Sequence, residues 1–152
     1  MSRNNQQSRS KSKPHLWQRE MALLVEQSLL YISGNEVSDD ALSKAKYRRQ
    51  TPTFREPFYL RQYGGSSFLD QIVVEFSPKD DLFGRRSALT MSVRGITEHD
   101  VRTKVTANLS KNGYHPRSTR NTGYTEYSDG TTEIEAFIYV QGDDVSISIR
   151  RN

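Results

Sequence analysis

The segment that most narrows the fold lies near the end of the chain, where Thr132–Val140 and Val145–Arg150 alternate apolar and polar residues around Gly142-Asp143. A period of two marks a half-buried strand, and Gly-Asp between two such runs marks a tight hairpin. With the turn there, Val140 opposes Val145, Ile138 opposes Ile147 and Ala136 opposes Ile149, so one face is wholly apolar. The same register sets Glu135 against Arg150, a favourable cross-strand pair.

Three more strands are expected at Phe68–Ser77, Ala88–Arg94 and Tyr124–Tyr127. Ile72, Val74 and Phe76 share a face in the first, and Leu89, Met91 and Val93 in the second. Helical spacing runs from Leu16 to Ser33 through Trp17, Met21, Leu24 and Tyr31, and Gly34-Asn35 follows as a stop. A second helix starts at Ser38 as N-cap, with Asp39 and Asp40 first and Lys44, Lys46, Arg48 and Arg49 toward its end, an order that suits the helix dipole. A third starts at Thr97 and carries Val101, Val105 and Leu109 as a stripe ended by Gly113. The order ααββαβββ predicts an α+β domain with a mainly antiparallel sheet of about five strands, covered by helices on one face.

Charge and composition divide the chain. Of the 152 residues, 1–14 contain no apolar side chain after Met1, so they cannot offset the entropy of ordering and are expected to be a disordered tail. Residues 1–20 hold Arg3, Arg9, Lys11, Lys13 and Arg19 against Glu20, which accounts for the whole formal charge of +4. Residues 15–152 then form one electrically neutral domain, helical over 15–50 and sheet plus helix over 67–152. The absence of cysteine excludes disulfides, thiolate metal sites and cysteine nucleophiles. The apolar run Met21–Ile32 is too short to span a bilayer and is broken by Glu26, Gln27 and Ser28, and no secretory signal is visible. An intracellular, cytoplasmic protein is the expectation.

Little in the sequence carries catalytic chemistry. His15, His99 and His115 stand apart, without metal-ligand spacing, and the pairs Asp39-Asp40, Asp80-Asp81 and Asp143-Asp144 read as a helix start, a connection and a turn. Gly64-Gly65 lacks a phosphate-loop spacing, and neither a nucleophile elbow nor an internal repeat is visible. No enzyme, cofactor or metal site is expected, the catalytic alternative being a hydrolase or nuclease built on His115 with the nearby arginines.

Two kinds of surface remain. Glu133, Glu135, Phe137 and Tyr139 alternate on the face of their strand opposite the core, and Glu126 lies across from them. If Asp129-Gly130 is a two-residue turn, Glu126 directly opposes Glu133, whereas a longer turn shifts the register. This face, or an edge of the sheet, reads as the docking surface of an adaptor, inhibitor, immunity or chaperone type of protein, and a helix laid over the face would turn the two aromatics into core. The alternative partner is nucleic acid, held by Arg3, Arg9, Lys11 and Lys13 of the tail and by a polar loop with His115, Arg117 and Arg120. Phe54, Phe58, Tyr59 and Tyr63, interleaved with Arg55 and Arg61 in a proline-rich connector, read as core cover or as a stacking surface.

Overall fold

A computed structural model describes residues 20–62, 71–77, 86–93, 97–119, 124–142 and 144–151. The expected tail, with Arg3, Arg9, Lys11 and Lys13, lies outside them, as does Arg120.

Helix α1 covers residues 20–32 and buries Met21, Leu24, Val25, Leu29 and Ile32, one stripe at the helical period. The Gln27 side-chain carbonyl accepts the Ser38 amide at 2.7 Å, tying α1 to helix α2, Asp39–Lys44. Ser38 caps α2, accepting from the Ala41 amide at 3.1 Å, as its sequence position predicts. At the end of α1 the Arg86 guanidinium donates to the carbonyls of Tyr31 and Asn35 and sits 4.8 Å over the Tyr31 ring, where a cation meets the negative end of the helix dipole.

Eight strands follow: β1 Arg48–Gln50, β2 Phe58–Gln62, β3 Gln71–Ser77, β4 Ser87–Val93, β5 His115–Thr119, β6 Tyr124–Ser128, β7 Glu133–Gln141 and β8 Asp144–Arg151. Helix α3, Glu98–Lys111, lies between β4 and β5. The strands form a single sheet in the order β1-β2-β3-β4-β8-β7-β6-β5, every neighbouring pair antiparallel. The α+β class and the antiparallel sheet agree with the sequence, but about five strands becomes eight.

Two of the strands, β1 and β5, are not expected from the sequence, and β2 forms within 58–63, where the connector allows a short strand or a helical turn. β1 begins at Arg48, where a helix end is expected, because α2 stops at Lys44. β2 is a near-edge strand beside Pro57 and β5 a polar edge strand at Pro116, and proline masks a strand pattern. The expected hairpin β7–β8 holds residue for residue, with Val140↔Val145, Ile138↔Ile147, Ala136↔Ile149 and Glu135↔Arg150.

The helices share one face of the sheet. α1, α2 and α3 pack with Tyr59, Ile72, Val74, Tyr127, Ile134, Ala136, Ile138, Val145, Ile147 and Ile149 into one core. Val101, Val105 and Leu109 of α3 are wholly buried, as their spacing predicts, and Thr97 caps that helix by accepting from the Asp100 amide. In β4 it is Ala88 and Thr90 that face the core, opposite Phe76 and Val74, so Leu89 belongs to the other face.

The chain also repeats itself in structure, although no internal repeat is visible in its sequence. α2 and α3 both end in Leu-Ser-Lys, and each is followed by two residues and a buried tyrosine before its strand: Leu42-Ser43-Lys44 with Tyr47, and Leu109-Ser110-Lys111 with Tyr114. The turns close with the same two bonds, the first from Lys46 N–H to the Ser43 carbonyl and from Gly113 N–H to that of Ser110. Tyr47 N–H donates to the Leu42 carbonyl and Tyr114 N–H to that of Leu109, each at 2.9 Å, while Lys46 and Gly113 sit at φ 71 and φ 89. Each helix then leads into a four-stranded meander, and the two meanders join edge to edge through β4 and β8, related by a pseudo-two-fold axis through the sheet.

Candidate functional site

The alternation that sends one set of side chains into the core sends the other to a face that no helix among the described residues covers. On it, Phe137 is followed across the sheet by Ser148, Leu89, Glu75 and Phe58. A parallel row runs from Tyr139 through Ser146 and the position of Met91 to Val73, Leu60 and Arg48. Phe137 and Tyr139 stack with ring centroids 6.3 Å apart and planes 14° from parallel, and Tyr139 is 49% exposed. These two aromatics are therefore surface residues of the open face, flanked by half-buried Val73 and Leu89.

The acidic group on this face is compensated by arginines. The turn between β6 and β7 spans Asp129–Thr132, so Glu126 lies opposite Glu135 and Ser128 opposite Glu133, which corrects the two-residue-turn register. Asp129 makes the longer turn. Its Oδ1 accepts the amides of Thr132 at 2.6 Å and Thr131 at 2.8 Å, which hold its carboxyl below the ordinary 3.8. Arg150 donates to Glu135 at 2.9 Å and Arg117 pairs with Glu133, while Glu126 is buried next to Glu135. The five residues Glu126, Glu133, Glu135, Phe137 and Tyr139 thus share one surface.

The expected anion loop is divided. His115 and Arg117 lie on β5 and line an open groove of about 590 Å³ with Thr131, Thr132 and Arg151. Arg117 is already engaged by Glu133, which weakens any grip on an anion there. No cluster of metal-ligating side chains occurs among the described residues.

The sheet's edges are closed to strand addition. β1 has only three residues, with Arg48 and Arg49 exposed. β5 carries Pro116 and a register break between Pro116 and Thr119. Short, charged or proline-bearing edges resist pairing with another strand.

In the connector, the structure separates residues that the sequence groups together. Tyr59 is core and bonds Asp39, Arg61 pairs with Glu20 beneath α1, and Phe58 lies 4.3 Å under the Arg55 guanidinium. Phe54 alone stands out, 88% exposed, and Tyr63 is outside the described residues. Among the described residues no helix is long and apolar enough to cross a membrane. No protein-family model matches the chain, and comparisons with curated proteins and with solved structures find no match.

Proposed function

We propose that the protein is a non-enzymatic interaction module, acting inside the cell, that binds another protein through the open face of its sheet. The observation that carries this reading is the stacked Phe137–Tyr139 pair on a face that no helix among the described residues covers, beside carboxylates set by Arg150 and Arg117. Aromatics on a half-apolar surface with ordered polar groups around them have the composition of an interface centre. The blunted edges favour the face over strand addition.

The test is affinity capture from the native host with the whole chain, Tyr139→Asp and a surface control, Lys104→Asp. A protein retained by the whole chain and the control but lost with Tyr139→Asp, at unchanged circular dichroism, supports the reading. Equal retention by all three removes it.

A further inference from the structure

We propose a second site, at the β1–β2 end of the same open face and away from Phe137 and Tyr139: the groove along β1 and β2 binds single-stranded nucleic acid, with phosphates on Lys46 and Arg48 and a base stacked on Phe54. Three observations converge on it.

The first is backbone strain. Lys46 is the only non-glycine residue at positive φ among the described residues, at φ 71. The pseudo-symmetric position in the other half is Gly113, the residue that this conformation ordinarily requires. A lysine kept where its structural counterpart is glycine puts an ammonium group at that corner against the backbone's preference. Strain retained at one copy of a repeated turn marks that side chain for a purpose of its own.

The second is charge. Lys46 and Arg48 line a groove of about 690 Å³ together with Gln50, Leu60 and Gln62, and no acidic residue lines it. Lys46, Arg48 and the next residue, Arg49, are exposed and make no ion pair with any described residue. In the second half the turn carries Gly113 in place of the lysine, and the groove beside β5 holds Arg117 and Arg151 together with Glu133, which pairs with Arg117. The β1–β2 groove is thus free of carboxylates, whereas one of the two arginines in the other groove is compensated.

The third is the aromatic. Phe54 stands at the tip of the β1–β2 loop between Pro52 and Pro57, and Arg55 fastens that loop to the sheet through Glu75 and the Phe58 ring. An exposed ring on a loop stiffened in this way can stack without much further ordering. Cations that follow a phosphate chain beside an aromatic platform, with amides to meet base edges, are the chemistry of sequence-tolerant single-strand binding. An acidic peptide would use the cations and leave Phe54 without a role.

Fluorescence anisotropy with labelled dT12 and rU12 tests this on the full-length chain, Lys46→Gly, Arg48→Ser and Phe54→Ala, at rising salt. Lys46→Gly suits the backbone at that position, so it removes the charge without endangering the fold. We expect binding at low salt, loss of at least about tenfold in affinity for Phe54→Ala with recovery in Phe54→Trp, and a salt slope shallower by about 0.7 for each cation removed. No binding by the full-length chain overturns the proposal. Equal binding by all variants also overturns it, because the anion is then held by the basic residues before Glu20. A poly-glutamate peptide that binds as tightly as dT12 and responds equally to Phe54→Ala replaces nucleic acid with an acidic peptide.

Discussion

Single residues decide how the two halves differ. At Lys46 and Gly113 the same turn is built with opposite backbone comfort, and a left-handed L-residue costs about 1 kcal/mol or more. Lys46→Gly is expected to stabilise the protein by about that amount, and Gly113→Ala to destabilise it similarly, measured by urea unfolding. A methyl group at Gly113 meets no atom within 4 Å, so the cost is purely conformational. Asp129 makes a prediction in pH. The Thr132 and Thr131 amides lower its folded-state pKa, so its stabilising contribution is present above the unfolded value and disappears as pH falls through the folded one. Asp129→Asn keeps the amide-accepting oxygen and loses the titration, so its unfolding midpoint should fall less than that of the parent below about pH 4. Lys46 also explains why the repeat escaped notice. Gly113 announces the end of α3, whereas Lys46 continues a basic run that reads as more helix until Arg48 and Arg49 prove to be strand.

The elements were legible where pattern and punctuation agree. α3 has its Thr97 cap, its stripe and its glycine, and β7–β8 has its alternation and its turn, and both form as read. β2 and β5 were obscured because an edge or near-edge strand needs little apolar alternation and tolerates proline. The open face could not be assigned fully for the same reason: Phe137 and Tyr139 are visible from their own strand, but Leu60, Val73 and Leu89 join them only once the strand order is known. For α3, Leu109→Ala is expected to cost about 2–5 kcal/mol, since its side chain is wholly buried on a helix that packs against β7 and β5. Thr97→Ala should cost about 1 kcal/mol through the lost cap. Denaturant midpoints at constant m-value would distinguish these from a change in the unfolded chain.

At the scale of the molecule, the two meanders share one core and one sheet, so they are expected to open together. Hydrogen exchange should give amides of β3 and β7 the same, global protection, while those of β1 and β5 exchange faster. Unequal protection of β3 and β7 would mean that the halves unfold separately. The β4–β8 seam carries a further consequence for anyone dividing the chain. Each half taken alone would present a seam strand of seven or eight residues with half of its backbone donors and acceptors bare. Unlike β5, β4 and β8 have no proline to deter a newcomer, and unlike the three-residue β1 they are long. A fragment cut between β4 and α3 is thus an aggregation hazard, a long sticky edge that would capture another fragment or grow into a fibre. The natural protein avoids this by keeping both halves on one chain, where each seam strand always finds the other first.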